Sequence, residues 1–242
     1  MKSPIFSIRA LLLSSLLLAV SLAAGDLQSP FIYQPDVKVP MRDGVQLATN
    51  IFLPKGDGPW PVILVRTPYG KQDEKWSGAK DYAKAGYVTV VQDCRGREKS
   101  PGVWEPFLYE ARDGYDTQEW VGKQPWCNGD IGTAGASYVG WTQWAAAPNS
   151  SKYLKAMAPM VPFANTYDDL AYPSNVMQLG LLMGWGEAAG AIPLAPDKFQ
   201  QAYSYLPLRT YGAHSENKVS YLNEWARHPA SDTYLTPPRP HP

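Results

Sequence analysis

The sequence predicts an α/β fold in which a mainly parallel sheet carries helices on both faces, and three observations lead to it. Continuous apolar runs at 61–66 (PVILVR) and 87–92 (YVTVVQ), bounded by Pro and Gly, suit strands covered on both sides. Helix-compatible stretches at 73–85 and 110–123 follow these runs and lead to a third β-type run that starts at Ile131, giving the order βαβαβ. That third run closes in a small-residue turn, Gly135-Ala136-Ser137-Tyr138-Val139-Gly140, and passes into another helical segment.

Taken in order, the chain opens its sheet at 37–40 and 46–53, which alternate polar and apolar around Asp43-Gly44, a pair that closes tight hairpins. An antiparallel ribbon is therefore expected ahead of the parallel crossovers. After the turn at Ser137, 138–147 reads as a helix and 154–159 as the next strand. From about 165 onward no β-type run recurs. The segments 176–192 and 198–206 are helix-compatible and rich in Trp, Gly and Met, so helices laid over the sheet edge are expected there. The Pro-rich tail at 237–242 is expected to be unstructured.

Ser137 is the candidate of greatest chemical interest. A serine whose Oγ projects from a sharp strand-to-helix turn sits in strained backbone, tolerated only where the flanking positions lack bulk. Gly135 and Gly140 supply that space. The spacing G-x-S-x-x-G is one residue longer than the general nucleophile elbow of α/β-hydrolases, so Tyr138 and Val139 stand where one residue is usual. A plain Gly/Ser-rich turn between strand and helix is the alternative.

Four segments then match a known family in letters, order and spacing: Arg66-Thr67-Pro68-Tyr69-Gly70-Lys71; Val91-Gln92-Asp93-Cys94-Arg95-Gly96-Arg97; Asp113-Gly114-Tyr115-Asp116-Thr117 with Gln124-Pro125-Trp126-Cys127-Asn128-Gly129; and the turn at Ser137. Over about 35–165 the chain resembles the cocaine esterase and X-Pro dipeptidyl-peptidase-like (CocE/NonD) serine hydrolases. Two departures are visible: Cys94 where Thr or Ser is usual, and Glu98 where a further Gly often follows. The resemblance implies an α/β-hydrolase fold with the start of a helical cap. It makes Ser137 the nucleophile, the Tyr138 backbone N–H one oxyanion donor and the Tyr69 hydroxyl the other. A tyrosine in such a turn, read without the resemblance, packs its ring on the loop.

Other charged groups have plainer readings. Asp93, Arg95 and Arg97 follow a parallel strand, where a buried Asp with Arg partners fixes loop geometry. Asp168-Asp169 could recognise a substrate amine, as acidic clusters do in relatives that hydrolyse α-amino acid esters; at a helix start such acids usually cap it.

A hydrolase of this fold takes its acid and histidine from loops after later strands, in the order Ser, Asp, His. His214, His228 and His241 all lie beyond 165, where no strand edge is expected to carry them. The segment 224–234 resembles the end of the family's cap. The chain is therefore expected to stop inside the cap, before the remaining strands, the Asp and His of the triad, and a jelly-roll domain. The organisation reads as a signal peptide at 1–25, the N-terminal part of the hydrolase domain at 26–164, a partial cap at 165–236 and the tail at 237–242.

Lys2 and Arg9 precede an apolar stretch at 10–24 that is too short to span a bilayer and ends in small residues, the pattern of a secretory leader. A secreted or periplasmic protein follows, with no stable membrane anchoring after cleavage; an uncleaved anchor is the alternative. The whole sequence has 22 basic and 22 acidic residues, and loss of Lys2 and Arg9 would leave 20 against 22. A near-neutral chain without basic runs argues against nucleic acid as a partner. Cys94 and Cys127 fall at opposite ends of what read as neighbouring parallel strands, roughly 15 Å apart and beyond the ~7 Å a disulfide allows, so free thiols are expected. No metal-spaced His/Cys cluster or phosphate-binding loop stands out, so no cofactor is expected.

Two functions follow. One is a secreted serine hydrolase that cleaves a small acyl ester, amide or short peptide substrate through an acyl-enzyme on Ser137. The other is a truncated, inactive fragment or pseudo-enzyme that at most binds acyl ligands.

Overall fold

The computed structural model describes residues 29–72, 77–189, 196–215 and 219–234. The stretch 1–25 read as a leader, the beginning of the helix read at 73–85, and the tail at 237–242 with His241 lie outside them.

Strands β1 (Phe31–Pro40) and β2 (Gln46–Pro54) form the antiparallel ribbon expected around Asp43-Gly44. Strand β1 reaches back to Phe31, beyond the alternation at 37–40, because a bulge between Gln34 and Val37 shifts its register and breaks the period of two. Strands β3 (Trp60–Thr67), β4 (Val88–Asp93), β5 (Cys127–Ala136) and β6 (Leu154–Met160) complete a six-stranded sheet of order β1-β2-β4-β3-β5-β6. Strand β2 joins β4 antiparallel, and β4, β3, β5 and β6 run parallel to one another.

The continuous apolar run of β4 is explained by its place, since every residue from Val88 to Asp93 is buried. Helices α1 (Ala79–Lys84), α2 (Glu110–Gly122) and α3 (Tyr138–Ala146) are the crossovers. Neighbouring residues of one strand serve opposite faces. Val65 and Val91 pack with Ala79 and Ala83 of α1, whereas Leu64 and Val90 pack with Val121 of α2.

The strand order corrects one assumption. Cys94 and Cys127 are both free, but β3 lies between β4 and β5, so the two thiols do not sit on neighbouring strands.

Beyond β6 the described residues hold no strand. A wide helical turn at Thr166–Ala171 is followed by α4 (Leu179–Ala189), α5 (Pro196–Tyr203), α6 (Tyr211–His214) and α7 (Ser220–Arg227). Helix α4 starts later than the expected 176, because Ser174 and Asn175 take left-handed φ of 57° and 61° and Val176 is extended. Leu182 and Met183 of α4 and Trp225 of α7 share one core cluster with Phe107 and Tyr138, so the helical region is packed against the carboxyl edge of the sheet. Among the described residues no helix is long and apolar enough to cross a membrane.

Candidate active site

Ser137 stands between the last residue of β5 and the first of α3, at φ 58° and ψ −126°. That region costs a non-glycine residue about 1–3 kcal/mol, and its neighbours hold it there. The Ser137 amide donates to the Met160 carbonyl at 2.9 Å, and the Ser137 carbonyl accepts the amides of Gly140 and Trp141, each at 2.9 Å. Both glycines prove necessary. Gly135 has φ 141°, and a Cβ there would fall 2.1 Å from Val139 Cγ1; on Gly140 it would fall 2.8 Å from the Met160 carbonyl oxygen. Gln143 ties the turn further, donating to the Gly135 carbonyl at 3.2 Å and accepting from Thr133 Oγ1 at 3.0 Å. The extra residue in the motif is absorbed because Tyr138 and Val139 form the first turn of α3.

Tyr69 lies two residues past the end of β3, and β3 is the sheet neighbour of β5. Parallel neighbours end at the same edge, which brings the tyrosine to the serine. The Ser137 side chain lies close enough to the Tyr69 phenol to pull its pKa down, and Tyr69 Oη accepts from Trp185 Nε1 of α4 at 3.2 Å. Burial pushes the phenol's pKa up, against the pull of Trp185 and Ser137 beside it. It therefore stays protonated at neutral pH and keeps a proton to donate. The Tyr138 amide opens α3, where a backbone N–H has no acceptor within the helix and the helix dipole favours negative charge. A hydroxyl, a phenol and a helix-terminal amide thus meet at one edge.

Under this edge the segments that carry the resemblance interlock. Arg66 donates to Gln92 Oε1 at 2.9 Å and to the Glu110 carbonyl at 3.1 Å. Arg95 pairs with Asp113 through bonds of 2.6 and 2.9 Å, and Thr117 Oγ1 donates to Gln92 Oε1 at 2.9 Å. The expectation that Asp93 has Arg partners is corrected. Its oxygens accept the Lys71 amide at 2.7 Å and Lys71 Nζ at 3.1 Å, while Arg95 turns to Asp113 and Arg97 to the Pro68 carbonyl at 2.8 Å. A buried Asp takes the ammonium because Lys71 follows Tyr69 on the same loop, and the pair fastens that loop to the end of β4. Glu98 takes φ 47°, a conformation that favours glycine.

Asp169 Oδ2 accepts the amides of Ala164 and Asn165 at 2.9 and 2.8 Å, and the Asp168 amide bonds Asn165 Oδ1 at 3.0 Å, so this acidic pair belongs to a capped turn. Both described histidines close short helices. His214 Nδ1 lies 2.9 Å from Tyr205 Oη and 3.0 Å from the Thr210 carbonyl. His228 Nδ1 lies 2.5 Å from Asp232 Oδ2 and stacks on Tyr234. Among the described residues, neither hydrogen-bonds Ser137. Two residues were not singled out in the sequence: Trp185, inside a helix-compatible stretch rich in Trp, Gly and Met, and Glu110, the first residue of another, which accepts the Tyr138 hydroxyl proton. Among the described residues no group of three or more His, Cys, Asp or Glu side chains could hold a metal ion.

The sequence profile of the X-Pro dipeptidyl-peptidase (S15 family) matches residues 43–240. Cocaine esterase of Rhodococcus sp. (strain MB1 Bresler) is 41% identical over 161 residues, which are 64% of this chain and 28% of that protein. A CocE/NonD family hydrolase from Staphylococcus aureus superposes with a TM-score of 0.67 at 27% identity, covering 88% of this chain and 38% of its own. An alpha-amino acid ester hydrolase gives 0.69 at 26% identity, with 87% and 40% covered. The chain thus spans well under half the length of these relatives.

Proposed function

The chain belongs to the X-Pro dipeptidyl-peptidase (S15) family, and from that premise we propose that it supplies the nucleophile and both oxyanion donors of a serine hydrolase acting on small acyl esters or amides. Ser137 Oγ attacks the substrate carbonyl carbon, and its proton passes to a base. The carbonyl oxygen, now negative, is held by Tyr69 Oη and the Tyr138 amide; the alcohol or amine leaves with a proton, and water then hydrolyses the acyl-enzyme. The observation that carries this reading is Ser137 on a strained strand-to-helix turn, with the Tyr69 ring resting edge-on against the residue that follows it. Relatives named as an esterase and an amino acid ester hydrolase favour ester substrates. Ser137→Ala in the full-length protein tests it, with loss of acyl ester hydrolysis expected and retention decisive against it.

A second reading, a chain that keeps the fold without turnover, is favoured by the absence of any hydrogen bond between Ser137 and the described histidines. We further propose export through the leader at 1–25, which N-terminal sequencing of the mature protein would test.

A further inference from the structure

A buried acid beneath the elbow takes no part in the chemistry proposed above. Glu110, the first residue of α2, is 2% exposed, and it accepts the hydroxyl proton of Tyr138 in a short hydrogen bond. The same phenol oxygen accepts the Phe107 amide at 3.0 Å, so it is held from two sides. Burial pushes the Glu110 pKa up, and the charge of Arg66 works against it.

Between its two ends the Tyr138 ring is clamped. Phe107 stacks on it at 4.9 Å between centroids and Trp185 at 5.8 Å, and Tyr69 meets it edge-on at 6.4 Å. Phe107 takes φ 74°, a costly conformation for an aromatic residue, and it is from there that its amide meets the phenol. Tyr138 therefore connects an anchored hydroxyl at one end to the helix-terminal amide at the other, with the Tyr69 ring resting on its side. Movement of the first turn of α3 would have to break the anchor.

We propose that Glu110 is a positioning residue: by holding the Tyr138 phenol, it fixes the Tyr138 amide and the Tyr69 ring in place around the Ser137 hydroxyl. The inference rests on the reading of Ser137, Tyr69 and Tyr138 given above. It matters because misplacement of a donor by about 1 Å costs on the order of 10²-fold in rate.

The test compares Glu110→Leu, Glu110→Gln and Tyr138→Phe in the full-length protein, on an ester substrate and well below each variant's Tm. Glu110→Leu is expected to lower kcat by about 10-fold or more with KM changed less than about 2-fold, the pattern of lost transition-state contacts. Glu110→Gln keeps an acceptor for the phenol and is expected to recover most of that loss. Tyr138→Phe is expected to match the leucine variant, and the double variant to be little worse than either, because both remove one bond. A folded Glu110→Leu protein with wild-type kcat overturns the proposal, as do losses that multiply in the double variant. If the leucine variant does not fold, Tyr138→Phe decides by the same kcat and KM criterion. Ser137→Ala, run in parallel, keeps the two claims apart: activity surviving there overturns the site itself, whereas its loss beside an unaffected Tyr138→Phe overturns only the brace.

Discussion

The sheet region, Phe31 to Met160, and the helical region that follows it are built on different principles. In the sheet region three buried acids meet partners: Asp93 with Lys71, Asp113 with Arg95, Glu110 with Tyr138. Its strained backbone, Ser137 above all, is fastened by hydrogen bonds to β6 and α3. The helical region contributes mainly aromatic and aliphatic surface, with Trp185 and Trp225 stacked near Phe107. Trp185 also bonds the Tyr69 hydroxyl. Groups that handle charge need a rigid, preorganised edge, whereas a wall that only shapes a pocket can be apolar and adaptable. On the proposed function, reactivity belongs to the sheet edge and the shaping of the pocket to the helices.

The largest effect expected from this division concerns the base. The purified chain is expected to turn over esters at no more than a trace rate, because neither described histidine hydrogen-bonds Ser137 and removal of the base from a comparable hydrolase costs about 10⁶-fold in kcat. Ester turnover by the purified chain at more than a trace rate would break the comparison, and His214 and His228 would be the first residues to replace.

Next in size is the phenol. Tyr69→Phe in the full-length protein is expected to lower kcat by about 10²-fold or more, as removal of one oxyanion donor does, with the fold kept and the Tm lowered only by what the Trp185 hydrogen bond contributes. An unchanged kcat would make Tyr69 a packing residue and move the chemistry away from this edge.

Backbone geometry comes third. Gly135→Ala is expected to cost more than about 2 kcal/mol in denaturant unfolding, through left-handed strain and collision with Val139. A neutral result would mean that the elbow has slack. The smallest effect is at Glu98, where Glu98→Gly is expected to stabilise by up to about 1 kcal/mol by relieving φ 47°. A loss of stability there would show that the Glu98 side chain holds the loop.

How far each region could be read from sequence follows the same line. Strands β3 and β4 were legible because burial on both faces leaves unbroken apolar runs. The turn at Ser137 was legible because steric limits at Gly135 and Gly140 admit one residue type. Tyr69 needed the resemblance, since a tyrosine in a turn looks the same whether it packs or donates. Trp185 meets Tyr69 across 116 positions in the chain, and Glu110 meets Tyr138 across 28. No local pattern encodes contacts of that kind. The late start of α4 depends on left-handed Ser174 and Asn175, which spacing alone does not reveal.

The central claim, that Ser137 is an activated nucleophile at this edge, is tested most directly by fluorophosphonate labelling of the full-length protein, read by peptide mass spectrometry. The account predicts one stoichiometric adduct, on the peptide that carries Ser137, absent from Ser137→Ala and slowed in Tyr69→Phe. An adduct on a different serine, or ester hydrolysis persisting in a protein whose Ser137 stays unlabelled, would contradict it.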